Sequence, residues 1–160
     1  MTIYKALFDE GVLFVKFHGE YVSDEGDRAM LSISRSMSLD EKYAIKKVIW
    51  DLKDVTSMTL QNTDGARLAR WDRDIIRLLE HPEKDLTAYL KELELFYIEP
   101  EDSGVNKIFV ERLVRIATPT RQLPRVAGLD VGNLHDLLEA LGLLRLEPML
   151  DGEWQIVQVL

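Results

Sequence analysis

The sequence predicts an α/β fold whose mixed sheet begins with a β-hairpin. Two β-rich runs, Ile3 to Asp9 and Val12 to His18, meet at a Gly-containing turn, which is typical of a hairpin. A third run, Val48-Ile49-Trp50, is apolar without interruption, as expected of a strand that is buried on both faces. Further along the chain, apolar residues at helical spacing alternate with short apolar runs. This alternation indicates βα units that build a sheet with helices packed on it.

The composition is that of one globular domain. The chain has 160 residues, of which 46% are hydrophobic and 30% are charged, and this length is enough to bury a core. The formal net charge of −8 argues against a nucleic-acid partner, because binding phosphates requires a basic surface. An acidic chain is better suited to a basic protein partner. Cysteine is absent, so disulfides and thiolate metal sites are excluded.

The sequence also indicates where the protein is located. Its first residues, Met1 to Lys5, lack the apolar core of a signal peptide. No apolar run approaches the roughly 18 residues that a membrane-spanning helix requires. We therefore expect a cytoplasmic protein without a membrane span.

The first half of the chain is predicted to continue from the hairpin into a helix and a strand. Ser23 or Asp24 could cap a helix whose buried positions include Met30 and Ile33. This helix is weak by propensity, because it contains serines at positions 32, 34, 36 and 38. The buried strand that contains Val48-Ile49-Trp50 then runs from Lys47 to Leu52.

Three further elements are predicted before residue 120. A helix begins at Asn62 or Thr63 and ends at His81-Pro82, since the residue before a proline disfavours the α region. A short helical turn is favoured between Asp85 and Glu92, and a strand runs from Leu93 to Ile98. Another helix begins at Ser103-Gly104.

The last part of the chain is predicted to contain a strand, a helix and a final strand. The strand lies between Leu123 and Leu129. Asn133, with Asp136 three residues later, resembles a capping box that opens the helix, and Gly142 ends it. The tail from Trp154 to Leu160 alternates apolar and polar residues as a strand does. The complete predicted order is β-β-α-β-α-β-α-β-α followed by a C-terminal strand.

One motif carries a resemblance to a known family. The residues Val48-Ile49-Trp50-Asp51-Leu52-Lys53-Asp54-Val55-Thr56 resemble the strand-and-loop pattern of STAS domains, the fold of the SpoIIAA-type anti-sigma factor antagonists. The order of elements matches that fold over about residues 3 to 142. The resemblance implies a STAS-like domain over residues 1–144. Residues 145–160 would form an extension whose strand packs on the same domain or on a partner.

The resemblance also implies a non-enzymatic regulator whose partner is an anti-sigma-factor-like kinase or another regulatory protein. In family members that act as phosphoswitches, a Ser or Thr in the loop after this strand is phosphorylated, and the added charge expels the partner. Here that position falls on Leu60. We therefore expect the usual serine phosphoswitch to be absent. The candidate acceptors that remain nearby are Thr59, Thr63 and Ser57, for which turn formation or helix capping is the simpler explanation.

The predicted partner-binding surface is the loop from Asp54 to Asp64 together with the exposed face of the helix that follows. Its candidate residues are Asp54, Thr56, Thr59, Asp64, Arg67, Arg70 and Arg73. A homodimer through the C-terminal strand is also possible, because an exposed strand edge can pair with a second copy.

Two other functions remain open from the sequence. The first is a carrier of a small molecule or lipid, since Leu and Met residues could line a pocket between a helix and the sheet. The second is a receiver-like domain in which Asp51 accepts a phosphoryl group beside Asp9 and Glu10, which would bind magnesium. That alternative requires a helix after the first strand, where the sequence predicts a hairpin. No catalytic set, metal site or cofactor is indicated by the spacing of the remaining residues.

Overall fold

The sheet is the central layer of the molecule. The computed structural model describes residues 1–22, 28–29, 32–59, 93–108, 125–131 and 133–159, with the backbone alone described for residues 125–131. Six strands form one sheet in the order β5-β4-β3-β2-β1-β6. These strands are β1 (Thr2–Phe8), β2 (Val12–Val22), β3 (Lys47–Thr59), β4 (Glu94–Ile98), β5 (Arg125–Val131) and β6 (Gln155–Ile156).

The strand pairing confirms the predicted mixed sheet with a leading hairpin. β1 pairs antiparallel with β2, from Thr2 opposite His18 to Phe8 opposite Val12. β2, β3, β4 and β5 then run parallel to one another. β6 returns to the far side of β1 and pairs with it antiparallel. The helix predicted between β3 and β4 and the helical turn predicted from Asp85 to Glu92 lie outside the described residues.

The two faces of the sheet carry separate apolar cores, because side chains of a strand alternate between faces. The first face carries Val15, Val48 and Leu95, and it packs against Ala29, Ile33, Met37 and Val105. The second face carries Phe14, Ile49 and Phe96. Buried leucines of the C-terminal region cover this second face, namely Leu137, Leu138, Leu143, Leu146 and Leu150.

The C-terminal region is helical before it reaches β6. It contains α2 (Leu134–Ala140), a 3₁₀ turn η1 (Leu144–Leu146) and α3 (Glu147–Glu153), and earlier in the chain lies the short helix α1 (Leu39–Ala44). As predicted, Asn133 caps α2, since its side chain accepts a hydrogen bond from the backbone N–H of Asp136 at 2.9 Å. Residues 28–29, 32–35 and 103–108 are also helical. None of the helices in the described ranges is long and apolar enough to cross a membrane.

Helices α1, η1 and α3 were not predicted. For α1 the sequence did contain a signal, because Ser38 and Glu41 form a full capping box at its start. η1 and α3 lie in the segment predicted as an extension, and the boundary predicted after residue 144 falls within η1. Leu146 and Leu150 belong to the second-face core, so this segment packs on the sheet of its own chain.

A buried lysine holds the serine-rich helical segment against the sheet. Lys5 is 8% exposed, and its ammonium donates to Ser36 Oγ at 2.5 Å and to the Ser36 carbonyl at 3.3 Å. Burial lowers the pKa of Lys5, and nearby Glu41 acts in the opposite direction. A cation is favourable at the carboxyl end of a helix. This contact supports a segment whose own helix propensity is low.

Gly11 allows the hairpin turn to pack against the start of β3. Its φ of +78° is left-handed, and a Cβ built there would lie 2.2 Å from the carbonyl oxygen of Ala44. The Gly11 carbonyl accepts hydrogen bonds from the backbone N–H groups of Lys46 at 2.8 Å and Lys47 at 3.2 Å. The turn therefore fixes the entry to β3 only if residue 11 has no side chain.

We predict that Gly11→Ala destabilises the protein strongly. The added Cβ meets a backbone carbonyl and also adopts an unfavourable φ, so the free energy of unfolding should fall by about 3 kcal/mol or more. Gly142→Ala is the matched control, because Gly142 has a φ of +69° but nothing lies within 4 Å of its added Cβ. That control should cost only about 1–2 kcal/mol, the price of the left-handed backbone alone. Urea unfolding of both variants measures the difference, and equal losses would contradict the contact with Ala44.

Candidate functional site

The most distinctive feature near the predicted site is an extension of β2 and β3. β4 pairs with β3 only from Lys47 to Asp51. β2 and β3 continue beyond that point, and their pairing reaches Val22 opposite Thr59. We call residues 18–22 and 54–59 the β2–β3 extension. It lies at the carboxyl ends of the parallel strands, where sites in α/β sheets are usually built.

The extension corrects the predicted loop. Residues 54–59 were predicted to leave the sheet after Leu52, but the structure has them in β3. The physical reason is that β2 is itself longer than predicted and offers a pairing partner as far as Val22. Val55, Thr56 and Thr59 are β-branched, which suits a strand. This was the signal in the sequence that could have predicted the longer strand.

Two bulges in β3 decide which side chains of the extension face the core. Lys16 and His18 of β2 pair with Asp51 and Asp54, so β3 has one extra residue in this interval. A second extra residue is Thr56, between the partners of Gly19 and Glu20. Each bulge reverses the alternation of side chains. As a result Val55 is buried in the first-face core and Met58 packs against it.

The predicted site residues are therefore distributed along a strand. Thr56 and Thr59 are exposed, whereas Asp54 and Ser57 are half-buried. The structure brings these four residues together in the extension. Along β3 they alternate with Val55 and Met58, whose side chains face the first-face core. The remaining candidates lie outside the described residues, namely Thr63, Asp64, Arg67, Arg70 and Arg73. The assignment of a partner-binding role to any of them stays a prediction.

A buried carboxylate lies at the base of the extension. Asp51 follows Ile49 by two residues and so lies on the second face, where it is 8% exposed. Its Oδ1 accepts a hydrogen bond from the backbone N–H of Lys53 at 3.1 Å. Burial raises the pKa of the Asp51 carboxyl, against the smaller opposing influences of that hydrogen bond and of Lys16. The ionised form of Asp51 is therefore held at a cost in stability.

An ion pair stands beside Asp51 on the same side of the sheet. Lys16 Nζ lies 3.2 Å from Asp54 Oδ2, and both side chains are about one-third exposed. A pair of this exposure contributes about 0–1 kcal/mol to stability. It nevertheless links β2 to β3 across the first bulge, where the ladder is irregular. This pairing could not be predicted from local sequence, because it depends on the register of the two strands.

The first face carries a row of aromatic rings across three strands. Phe17 and Trp50 are stacked with their centroids 5.9 Å apart, and Trp50 and Tyr97 are stacked at 6.4 Å. Trp50 is 7% exposed, and among the described residues its Nε1 has no hydrogen-bond partner. Trp50 belongs to the strand predicted to be buried on both faces, and the structure places its side chain in the first-face core. The Nε1 donor, unpaired among the described residues, would suit an acceptor on a polar ligand.

The segment after β4 supports the base of the extension from the other side. The backbone N–H of Glu101 donates to the Lys53 carbonyl at 3.1 Å. Asp102 Oδ1 then accepts from the N–H groups of Gly104 and Val105, both at 3.0 Å, and so caps the helical residues 103–108. The first bond connects the loop after β4 to the bulge of β3, and the two bonds to Asp102 order that loop at the start of the helix.

The arrangement around Asp51 does not match the receiver-like alternative. That alternative needs a helix after the first strand, but β1 and β2 form a hairpin. It also needs Asp9 and Glu10 beside Asp51. Both lie at the hairpin turn, next to the amino-terminal end of β3, whereas Asp51 lies five residues into the strand. Glu10 instead approaches Arg145, with Oε1 and Nη2 3.4 Å apart.

The chain is similar in structure to the anti-sigma factor antagonist SpoIIAA in its unphosphorylated form. The TM-score is 0.44 at 14% sequence identity, and the match covers 88% of this chain and 97% of that chain. No protein-family model and no curated protein sequence matches the chain. The fold description itself rests on the strand order and pairing given above.

We predict that Asp51→Asn raises the free energy of unfolding at neutral pH. Because its pKa is higher in the folded than in the unfolded protein, wild-type Asp51 adds stability as the pH falls through the folded pKa towards its ordinary value of about 4. Asparagine keeps the acceptor for the Lys53 N–H and carries no charge. The advantage of the variant should therefore be greatest at neutral pH and shrink on acidification. Chemical unfolding at several pH values measures it.

The control for this prediction is Asp54→Asn. It removes the partly exposed ion pair with Lys16, so its stability should fall by up to about 1 kcal/mol at neutral pH. The two substitutions are thus expected to have opposite signs. An Asp51→Asn variant that is less stable than wild type at neutral pH would show that the carboxylate is compensated in the folded protein.

Proposed function

We propose that the chain is a non-enzymatic regulatory domain that binds another protein through the β2–β3 extension and the segment that follows it. The observation that carries the proposal is the continuation of these two strands beyond β4. This continuation presents Thr56 and Thr59 at the carboxyl end of the sheet. A rigid strand pair positions contact residues more accurately than a loop does. Arg67, Arg70 and Arg73 belong to the proposed surface on the strength of the sequence.

The nature of the partner follows from the resemblance and from charge. The family resemblance supports an anti-sigma-factor-like kinase or another regulator in a bacterial cytoplasm. The net charge of −8 favours a partner with a basic contact surface, because electrostatic complementarity speeds association and suppresses wrong partners. Asp54 is the acidic residue of the extension that lies nearest to the bulge and is partly open to solvent.

The proposed domain works without the usual serine phosphoswitch. The position of the family's acceptor falls on Leu60, which has no hydroxyl. Of the nearby candidates that the structure describes, Ser57 is half-buried in β3 and Thr59 is the last residue of that strand. A kinase binds its substrate segment in an accessible conformation, and residues paired in a sheet do not offer one. Constitutive binding is therefore the proposed mode.

We predict that bulky substitutions on the extension abolish partner binding while the fold is kept. Thr56→Trp and Thr59→Trp each add a large side chain at an exposed position, so the partner should be sterically blocked while the melting temperature changes little. Met149→Trp on α3 is the matched control, because Met149 is 51% exposed and lies far along the chain from the extension. The measurement is affinity capture from a bacterial extract with quantitative mass spectrometry.

Only proteins captured by both wild type and Met149→Trp, and lost with both threonine variants, support the proposal. Charge reversal at Arg70, written Arg70→Glu, should weaken capture of the same proteins. If the threonine variants capture the same set as wild type, the extension is not the binding surface. If they unfold, the measurement is repeated with Thr56→Lys and Thr59→Lys, which suit a strand edge better.

We also predict that the wild-type chain is not phosphorylated at Ser57, Thr59 or Thr63 by kinases of the anti-sigma factor class. The reason is the leucine at position 60, and Leu60→Ser restores a hydroxyl there. Incubation with the kinase and ATP, followed by phosphosite mapping, should give a phosphate on Leu60→Ser alone. A phosphate on Ser57, Thr59 or Thr63 of the wild-type chain would contradict constitutive binding. It would show a phosphoswitch whose acceptor lies at another position than residue 60.

A second candidate function is a carrier of a small molecule. The observation that favours it is the buried Nε1 of Trp50, which lacks a partner among the described residues and could donate to an acceptor on a ligand. Native mass spectrometry of the purified chain distinguishes the two functions. A co-purified ligand that is lost in Trp50→Phe supports the carrier, whereas an apo mass supports the interaction domain.

A further inference from the structure

One serine of the serine-rich segment, residues 32–38, has a hydroxyl that is open to solvent. The segment contains serines at positions 32, 34, 36 and 38, and the first two are buried. Ser38 is the N-cap of α1, where its Oγ accepts a hydrogen bond from the backbone N–H of Glu41 at 3.2 Å. Ser36 is exposed and lies in the turn between the helical residues 32–35 and α1. A side chain in such a turn is accessible to an enzyme.

The Ser36 hydroxyl faces a buried cation. The ammonium of Lys5 donates to Ser36 Oγ at 2.5 Å and to the Ser36 carbonyl at 3.3 Å. Only 8% of Lys5 is exposed. An ammonium at such a position has lost much of its hydration, and an anion in contact with it would compensate for this loss.

Lys5 makes no ion pair with any residue that the structure describes. The cations that do so within the described ranges are Lys16, Lys47, His135 and Arg145. The charge of Glu41 raises the pKa of Lys5, but this effect is smaller than that of burial, which lowers it. The Glu41 carboxylate is also engaged elsewhere, since its Oε2 accepts from the backbone N–H of Ser38 at 2.6 Å. The buried ammonium therefore meets neutral oxygens where an anion would suit it better.

A phosphoryl group on Ser36 would supply the missing negative charge. Phosphoserine carries a charge of about −1.5 to −2 at pH 7 and three acceptor oxygens, so it pairs with a cation opposite it. The Ser36 hydroxyl also donates to the Ile33 carbonyl at 2.6 Å, and esterification removes this bond. The Ile33 carbonyl keeps the hydrogen bond from the backbone N–H of Ser36 at 3.1 Å. The modification therefore does not leave that carbonyl without a partner.

We propose that Ser36 is a phosphorylation site and that Lys5 binds the phosphate. The phosphoryl donor is ATP, and the enzyme is a separate serine kinase of another class than the anti-sigma factor kinases. A bond forms between Ser36 Oγ and the γ-phosphorus, and the bond from that phosphorus to the β-phosphate oxygen breaks. ADP leaves, and the hydroxyl proton passes to a base of the kinase. The phosphate then fastens the serine-rich segment to β1.

The charges around Ser36 act on the phosphate in both directions. Arg35 is the adjacent residue and adds a second cation to the segment. Asp40 and Glu41 in α1 repel the phosphate, as does the carboxyl end of the helical residues 32–35. Both carboxylates are exposed and screened by solvent, whereas the ammonium of Lys5 is buried and already within hydrogen-bond distance. The attraction to Lys5 therefore outweighs the repulsion.

A chain with phosphoserine incorporated at position 36 during translation tests whether Lys5 binds the phosphate. Its melting temperature should exceed that of the unmodified chain by about 2–4 °C, because a charge-assisted hydrogen bond replaces a neutral one. Lys5→Met keeps an unbranched side chain at the buried position and removes the ammonium, so the phosphate should give no increase there. Lys16→Met is the matched control, because Lys16 pairs with Asp54 on the other face of the sheet, and it should keep the increase.

NMR titration of the Lys5 ammonium gives a second readout that does not depend on a variant. The phosphate should raise the pKa of Lys5, since an opposite charge favours the charged form. An unchanged pKa of Lys5 overturns the proposal, even where Lys5→Met fails to fold. An equal increase in melting temperature with Lys5 and with Lys5→Met overturns it as well, because the phosphate is then bound by another group.

Phosphosite mapping of the chain isolated from the cells that produce it naturally tests whether the modification occurs. We expect a phosphate on Ser36 that disappears in Ser36→Ala. Its absence from both growing and starved cells overturns the proposal. These measurements do not involve capture of a partner by the β2–β3 extension, so failure here and failure of the proposed function are distinguishable.

Discussion

The parallel pairing of β2 with β3 is the interaction on which the rest of the structure depends. It joins the leading hairpin to the parallel part of the sheet, and both apolar cores are built on it. Gly11 sets where this pairing begins, through its hydrogen bonds to Lys46 and Lys47. The same pairing runs beyond β4 and creates the extension that we propose as the binding surface. The β2–β3 pairing thus holds the scaffold together at one end and forms the proposed binding surface at the other.

The sequence predicted those parts of the fold that depend on local pattern. The hairpin at Gly11, the buried strand beginning at Lys47 and the cap of α2 at Asn133 all follow from residues close together in the chain. The structure confirms each of them. The capping box of Ser38 and Glu41 was equally local, and α1 could have been predicted from it. Sequence pattern predicts a turn, a strand or a helix cap reliably where a few adjacent residues determine its backbone conformation.

The parts that could not be predicted depend on contacts between distant residues. Residues 54–59 combine β-branched residues with polar and charged side chains that are typical of a loop, so the local pattern is ambiguous and the pairing with the long β2 decides it. The ion pair of Lys16 with Asp54 depends on a register that includes a bulge. For this reason the predicted loop from Asp54 is a strand as far as Thr59, and the partner-binding role of its residues stays a prediction.

The bulges of β3 have a consequence for how such a domain can vary during evolution. A bulge is a residue that the strand carries in excess of its partner, so removing it would restore regular pairing and leave the strand intact. Deleting Thr56, for example, would shorten β3 without opening the sheet, and Ser57 to Thr59 would keep their partners in β2 while one exposed side chain is lost from the extension. A single deletion could thus present a new set of contact residues on an unchanged scaffold. Diversification of binding surfaces in this fold can proceed through chain length as well as through substitution.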